Sequence, residues 1–419
     1  MAQRGEPSGS QGQRRGPTPS ARVASVSVAA ATSDVLVAGG GIGGLSAALS
    51  LARAGQHVRL LERERQFSEV GAGLQMAPNA TRILRAWEVL DRAMASGVSA
   101  RRLVFRDALT GEMLTYLDLA DVERRYGAPY FVMHRHDLLT SLVDACVEAG
   151  VELLAGTPVD SVESTDRFAT ARSGEREFRA SVLVAADGGN STLRRHFSDD
   201  QPVPSGYVAY RGALPMHELP FPVSEDMATS VVAYLGPARH LVQYPLRRGQ
   251  MFNTVAVFRS PAFLRGEARW GLPEELDGAF EGSCDAVQRG LSSLWRDRQW
   301  LMHDREPIDT WVHRRIVLLG DAAHPMLQYL AQGACQAVQD AAHLADAASR
   351  YRTSGGVDWD AALADYQAVR TTHTARVQRT ARDWGEFWHV DGFSARFRNQ
   401  LLRDRDPFDY RHIDWLYGK

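Results

Sequence analysis

The sequence predicts an α/β protein: a Rossmann-like nucleotide-binding domain that carries an inserted β-sheet domain and is followed by a helical C-terminal region. Three observations lead to this prediction. Three short apolar stretches each end in a glycine-containing motif, strand-like alternation recurs between about residues 207 and 305, and helical spacing runs through 360–395. Short apolar runs bounded by turn residues are typical of parallel strands that are covered on both faces.

The first motif lies near the N-terminal end of the chain. An apolar, strand-like run at 35–38 leads into Gly39, Gly41 and Gly44, which form G-x-G-x-x-G; a helix-like segment and a second strand then end in Glu62. In such a unit the first glycine permits a tight turn, the second lets the backbone approach a pyrophosphate, and the third lets helix and strand pack closely. The terminal carboxylate accepts from a ribose. The pattern predicts a dinucleotide site, with NAD and FAD both open.

Two further strand-like runs end in carboxylates. One leads into Asp187 and the other into Asp321, after which residues 332–334 open an alanine-rich helix. A carboxylate at a strand end is well placed to accept from a polyol chain, and a glycine-led helix N-terminus can direct N–H dipoles at a ring oxygen that becomes negative on reduction. Each feature also has an ordinary explanation, because Asp187 precedes a glycine in a common turn dipeptide and Asp321 could cap a helix.

Taken together, in this order and spacing, the three motifs resemble the class A flavoprotein aromatic hydroxylases, which are single-component FAD monooxygenases. The resemblance runs from about Asp34 to the C-terminus. It implies a para-hydroxybenzoate hydroxylase-like fold, with FAD bound and with no second Rossmann domain for the nicotinamide nucleotide. The residues that it implies contact FAD are Gly39, Gly41, Gly44, Glu62, Arg63, Gln75, Arg135, Asp187, Asp321, Gly333 and Ala334.

The same resemblance implies a division of the chain. We expect residues 1–32 to be a disordered extension and 356–419 to form the helical C-terminal region. The expected FAD-binding segments are 33–105, 128–200 and 300–355, and the expected substrate-binding sheet comprises 106–127 and 201–299.

Local strings narrow the resemblance to one branch. The segments 71–80, 240–246 and 320–334 are most similar to 3-hydroxybenzoate 6-hydroxylases, with salicylate hydroxylases as close relatives. The wider family often places a proline two residues after Met326, where this chain has Gln328, and often a glutamate where this chain has Gln339. The first difference favours the 3-hydroxybenzoate branch, and the second has no interpretation from sequence.

The branch implies a reaction. NADH or NADPH would reduce FAD, O2 would form a C4a-hydroperoxyflavin, and 3-hydroxybenzoate would become gentisate. His240 is the candidate that activates the phenol, because a histidine is suited to accepting such a proton. The resemblance also implies that Tyr244 and Gln328 line the same pocket. Positions 240, 242 and 244 alternate onto one face of a strand, so Tyr244 is expected to share a face with His240. A buried structural role for His240 stays open, and no partner for the substrate carboxylate stands out.

Three other functions also stay open. A salicylate 1-hydroxylase would release CO2 and catechol, a flavin dehydrogenase or oxidase would leave the ring unchanged, and a nucleotide-binding module would have no redox role.

Composition excludes several classes. Lys419 is the only lysine, so mechanisms that need an internal lysine are ruled out. With 48 basic and 50 acidic residues the formal net charge is −2, which indicates no nucleic-acid surface. Three distant cysteines indicate neither a disulfide framework nor a metal site. No apolar run approaches the roughly 20 residues of a membrane span.

We expect a cytoplasmic enzyme, with a homodimer possible through the aromatic-rich C-terminal helices.

Overall fold

The computed structural model describes residues 31–68 and 73–418, with the backbone alone at 31 and 32. The strands are β1 (Ala31–Ala38), β2 (Val58–Leu61), β3 (Gly73–Met76), β4 (Arg102–Asp107), β5 (Met113–Asp118), β6 (Phe131–His134), β7 (Glu152–Leu154), β8 (Ser161–Ser164), β9 (Ala169–Ser173), β10 (Arg176–Ala185), β11 (Val203–Pro215), β12 (Ser230–Gly236), β13 (Arg239–Leu246), β14 (Met251–Arg259), β15 (Trp300–Asp304), β16 (Val312–His313), β17 (Ile316–Leu318), β18 (Arg352–Thr353) and β19 (Gly356–Val357).

The helices follow the same chain order. They are α1 (Ile42–Arg53), α2 (Pro78–Ala86), α3 (Leu90–Ser96), α4 (Leu119–Tyr126), α5 (Arg135–Glu148), α6 (Glu225–Thr229), α7 (Pro261–Leu264), α8 (Pro273–Ala279), α9 (Asp285–Leu291), α10 (Gly333–Arg350), α11 (Trp359–His389), α12 (Gly392–Asp404) and α13 (Asp414–Tyr417). Of the expected N-terminal extension, residues 1–30 lie outside the described residues, and the last two belong to β1.

The first sheet is the Rossmann-like part of the molecule. Its strand order is β16-β17-β10-β1-β2-β7, and all neighbours from β17 to β7 run parallel. The strands predicted before Gly39, Asp187 and Gly320 are therefore β1, β10 and β17, which lie side by side. Because parallel strands end at one edge of a sheet, the three motifs meet there. An antiparallel hairpin, β8 and β9, extends β10 on its N-terminal half.

The second sheet has seven strands in the order β15-β11-β14-β13-β12-β4-β5. All its pairs are antiparallel except β12 with β4. One face packs on α8 and α9, where Leu241 of β13 joins Leu276 and Val287 in one apolar cluster. The opposite face carries Val242 and Tyr244 and packs toward the first sheet and α11.

The expected boundaries at 106 and 300 cut through this second sheet. Strand β4 begins at Arg102, and β15, which was expected in the FAD-binding segment 300–355, pairs with β11. The physical reason is that a strand belongs to the sheet that satisfies its backbone hydrogen bonds, and sequence alternation does not reveal that partner.

The C-terminal region is helical, as the spacing over 360–395 predicts. It divides, however, into α11 of 31 residues and α12, with a break at Val390 and Asp391. Helix α11 brings Trp384, Phe387 and Trp388 against Phe105 and other apolar residues of the second sheet. Within residues 31–68 and 73–418, no helix is long and apolar enough to span a bilayer, and no cluster of His, Cys, Asp or Glu is arranged to hold a metal ion.

Candidate active site

The glycine motif forms a turn between β1 and α1 that leaves no room for side chains. Gly39 has φ of +111°, and a Cβ there would overlap the carbonyl oxygen of Ala186. A Cβ on Gly44 would overlap the carbonyl oxygen of Gly39. Gly41 is the N-cap of α1 and has no side chain to occupy the free amides of the first helical turn. Such a terminus is an anion-binding site because its N–H groups point outward unpaired.

Glu62 follows β2 and lies beside this turn. Its Oε2 accepts a hydrogen bond from the Gly40 amide at 2.5 Å and its Oε1 accepts from the Glu64 amide at 2.8 Å. Arg63, in contrast, is exposed and has Glu64 as its ionic partner. The structure therefore brings Glu62 to the glycine turn and directs no buried contact of Arg63 toward it.

The other two strand ends deliver Asp187 and Asp321. The Asp187 carboxylate accepts from Ser191 Oγ at 2.6 Å and from the Thr192 amide at 3.0 Å, so it caps the turn that follows it. Asp321 is exposed, and its Oδ1 lies 3.7 Å from the position that a Cβ on Gly333 would take. Asp321 thus lies at the N-terminus of α10, where Gly333 and Ala334 form the first turn.

Two buried side chains that the sequence did not single out hold this edge together. Arg194 is 2% exposed and donates from Nη1 to the carbonyl oxygens of Ala322 and Ala323, at 3.0 and 2.6 Å. It thereby ties the segment after Asp187 to the segment after Asp321. Its own charge is balanced by Asp200, 2.9 Å from Nε.

The second is Asp340, which is fully buried on α10. Its carboxylate accepts from the Gly320 amide at 3.0 Å, lies 2.5 Å from His324 Nε2, and accepts from Arg370 Nε at 2.7 Å. Burial alone would raise the pKa of Asp340, but the charges and hydrogen bonds of His324 and Arg370 lower it to about 2. The carboxylate therefore stays ionised and fixes the loop that carries Asp321. His324, four residues after Gly320, belongs to the same loop and is held by this carboxylate.

A third group of residues covers the second sheet. Strand β3 pairs with β6 so that Gln75 lies opposite Val132, and α5 begins immediately after β6 with Arg135. Gln75 Oε1 accepts from Tyr130 Oη at 2.5 Å, and Gln75 also hydrogen-bonds the side chain of Tyr244. Burial raises the pKa of Tyr244 well above its usual value, while the nearby charge of Arg211 opposes that shift. The structure thus brings Gln75, a predicted FAD contact, against Tyr244, a predicted pocket residue.

His240 lies on the same face of β13 as Tyr244 but in a closed aromatic environment. It is 1% exposed, and its Nδ1 is 2.8 Å from Nε2 of His389, the last residue of α11. Trp388 and Tyr329 meet its ring edge to face, with centroids 5.0 and 5.6 Å away. Burial, with His389 beside it, holds the pKa of His240 well below its usual value. The imidazole is therefore neutral.

Gln328 connects this region to the loop that carries Asp321. Its Oε1 accepts from Arg211 Nη2 at 3.0 Å, and the next residue is the Tyr329 that packs on His240. Burial lowers the pKa of Arg211, and the nearby charge of Arg135 lowers it further, so these two cations lie near each other. The loop that carries Asp321 is thus joined to the second sheet at Arg211, through Gln328, and at His240, through Tyr329.

Comparison with known proteins agrees with this architecture. Residues 32–381 match the family described as FAD binding domain. A 3-hydroxybenzoate 6-hydroxylase of Aquipseudomonas alcaligenes is 38% identical over 92% of this chain and 98% of its own length. The enzyme of the same name from Polaromonas naphthalenivorans is 36% identical over 92% and 95%. The chain belongs to the FAD-dependent aromatic monooxygenases. A 3-amino-4-hydroxybenzoate 2-monooxygenase of Streptomyces cremeus is also similar to this monooxygenase, with 35% identity over 92% and 95%.

Solved structures show the same fold. Klebsiella pneumoniae HpxO complexed with FAD and uric acid aligns with a TM-score of 0.79 and 25% identity, over 93% of this monooxygenase and 97% of HpxO. A salicylate hydroxylase substrate complex aligns with a TM-score of 0.74 and 22% identity, over 93% and 97%. The residues of this chain fit an FAD cofactor. The glycine turn has no side chains that would keep a pyrophosphate from the backbone amides, and the N-termini of α1 and α10 lie at the same edge of the sheet.

Proposed function

We propose that this monooxygenase uses NADH and O2 to hydroxylate 3-hydroxybenzoate to gentisate. The observation that carries the proposal is that His240 and Tyr244 share one face of β13, and that the loop after Asp321 reaches this sheet through the Gln328–Arg211 hydrogen bond and the packing of Tyr329 on His240. Support for the substrate comes from the relatives named 3-hydroxybenzoate 6-hydroxylase, which are 35–38% identical over more than nine tenths of the chain.

Two groups of residues would hold the cofactor. We assign the turn at Gly39, Gly41 and Gly44 to the pyrophosphate, because its amides can donate to an anion. We assign Glu62 to the adenosine ribose, because its carboxylate can accept from the ribose hydroxyls. Asp321 would accept from the ribityl chain. We propose that five further residues also contact FAD: Gln75, Arg135, Asp187, Gly333 and Ala334.

Bound FAD would supply the electron transfer and the oxygen activation that no side chain can provide. The protein's own task is to make the phenol ring more nucleophilic. The neutral imidazole of His240 would accept a hydrogen bond from the phenol through one ring nitrogen, and its other nitrogen shares a hydrogen bond with His389 that fixes the ring orientation. Tyr244 and Gln328 would orient the substrate. The aromatic residues around His240 would exclude water from it.

A product assay tests this proposal. The purified holoenzyme is given NADH, O2 and one ring substrate at a time, and NADH oxidation and product chromatography are compared. Gentisate from 3-hydroxybenzoate, in proportion to NADH consumed, is the expected result. Catechol and CO2 from salicylate would identify a salicylate 1-hydroxylase, and peroxide equal to NADH with an unchanged ring would identify a dehydrogenase or oxidase.

A second candidate substrate is 3-amino-4-hydroxybenzoate. It is favoured by the similarity to the Streptomyces enzymes named for it, at 34–35% identity over 92% of the chain. Adding this compound to the same panel separates the two candidate substrates. The true substrate is the one whose hydroxylated product forms in proportion to the NADH consumed.

A further inference from the structure

The register of the second sheet places one arginine in the candidate active site. Arg211 of β11 is opposite Val255 of β14, which is opposite Val242 of β13. Directly opposed residues share a face, so Arg211 projects from the same face as His240 and Tyr244. Strand β11, which carries Arg211, lies two strands away from β13. Along the strand direction Arg211 is level with Val242 and therefore two residues from His240. At about 4.8 Å per strand and 3.4 Å per residue, their Cα atoms are about 12 Å apart, a separation suited to one aromatic ring between the side chains.

Arg211 has no carboxylate within ion-pair distance in the part of the chain that the structure describes. Its Nη2 donates to a neutral amide, Gln328 Oε1, and its Nε is buried without a hydrogen-bond partner. Nearby on the same face, the amide nitrogen Nδ2 of Asn253 is also buried and unpaired, although Oδ1 of that side chain accepts from the Gly73 amide at 2.9 Å. Two unsatisfied buried donors therefore belong to one surface, and such donors cost free energy unless an acceptor meets them.

The five most buried arginines of the described residues each have a carboxylate partner, whereas the partly buried Arg211 has none. Arg194 is paired with Asp200 at 2.9 Å, Arg370 with Asp340 at 2.7 Å, and even Arg398 has Asp107 at 3.8 Å. Buried charges are kept in proteins when they are paired. No carboxylate of residues 31–68 and 73–418 pairs with Arg211, so its guanidinium is open to an anionic ligand.

We propose that Arg211 binds the carboxylate of the aromatic substrate, with Asn253 as a neighbouring donor, while His240 takes the phenol. The proposal rests on the function proposed above and supplies the carboxylate partner that the sequence did not indicate. A guanidinium presents a planar fork that matches a carboxylate, and its position on a sheet strand makes the contact rigid. Arg211 would then select benzoates over uncharged phenols.

Ligand binding to the FAD-bound enzyme tests the proposal without turnover. The flavin absorbance change is titrated with the hydroxybenzoate that the wild-type enzyme binds and with its benzyl alcohol analogue, which keeps the phenol and lacks the carboxylate. The variants are Arg211→Gln and Arg211→Lys. Arg259→Gln, at an exposed residue of β14 in the same sheet, is the control.

We expect Arg211→Gln to raise the Kd of the carboxylate ligand by about 10- to 100-fold, the range for a lost charged hydrogen bond, and to leave the Kd of the alcohol within about 3-fold. Arg211→Lys should fall between the wild type and Arg211→Gln because it keeps the charge and loses the fork. Arg259→Gln should match the wild type for both ligands.

Three results would overturn the proposal. One is an equal loss of affinity for both ligands in Arg211→Lys, which would indicate a damaged pocket. The second is unchanged affinity for the carboxylate in both variants. The third is a raised KM for NADH with unchanged carboxylate binding, which would assign Arg211 to the nicotinamide nucleotide. If the wild type binds no hydroxybenzoate at all, the proposed function itself fails, and the two failures are thereby distinguishable.

Discussion

The two sheets carry their functional residues in different ways. In the first sheet the residues follow the ends of β1, β10 and β17, and most of the chemistry resides in backbone amides and in carboxylates close in sequence to them. In the second sheet His240, Tyr244 and Arg211 project from within strands that are paired across the sheet. The first kind of site is local and sensitive to backbone shape, whereas the second depends on register and tolerates small backbone change. Variants in the two regions should therefore fail in different ways.

The largest effect is expected at Gly44. Gly44→Ala places a methyl group on the Gly39 carbonyl oxygen, and because both atoms belong to packed backbone, the turn must open. We expect loss of most bound FAD and a lower melting temperature. Flavin content after gel filtration measures this. Gly189→Ala is the matched control, since its Cβ would meet nothing closer than Pro325 at 3.9 Å; if both variants lost flavin equally, close packing at Gly44 would not be the cause.

Asp340→Asn should come next. Removal of the carboxylate leaves the buried Arg370 without its counter-charge, and breaking a buried pair in this way costs about 3–5 kcal/mol. Thermal or urea unfolding measures the loss, with the exposed Asp346→Asn on the same helix as control. Unfolding free energy unchanged in Asp340→Asn would show that His324 and Arg370 need no anion.

The pH dependence of the same variant has a definite sign. The folded-state pKa of Asp340 is about 2, below the unfolded value of 3.8, so the carboxylate stabilises the fold while it is ionised. Its contribution is complete above pH 3.8 and disappears as the pH falls through about 2. The stability difference between the wild type and Asp340→Asn should therefore be constant near neutrality and shrink below about pH 4.

His240→Ala tests the second kind of site. The change removes the proposed phenol-binding group from β13, a strand of the second sheet that does not carry the glycine turn, so FAD content should remain normal. Hydroxylation should fall by about 100-fold or more, with peroxide formed instead. Product and peroxide yields per NADH measure this, and His303→Ala on the exposed part of β15 is the control. Normal coupling in His240→Ala would leave the histidine a purely structural role.

The same contrast explains what could be predicted from the sequence. The motifs around Gly39, Asp187 and Asp321 were predicted in order, because each lies within a few residues of the strand that positions it. Arg211 and Arg194 were not, since their partners are 117 and 128 residues away and arginine is common in this chain. The pair of His240 with His389 spans 149 residues and depends on where α11 ends. Register and long-range pairing, and not residue type, carry that information.

The smallest effect is expected at a position where sequence comparison found only an unexplained difference. Gln339 Oε1 accepts from Asn79 Nδ2 at 2.9 Å, and the same Nδ2 donates to Gln332 Oε1. A glutamate side chain has the same length as glutamine, so its carboxylate oxygen can accept the same hydrogen bond from Asn79 Nδ2. Gln339→Glu should therefore change the unfolding free energy by no more than about 0.5 kcal/mol and leave flavin content intact. Asn79→Ala removes the donor that Gln339 and Gln332 share and serves as the contrast. A large loss of unfolding free energy in Gln339→Glu but not in Asn79→Ala would mean that charge, and not hydrogen-bond geometry, governs this junction of α2 and α10.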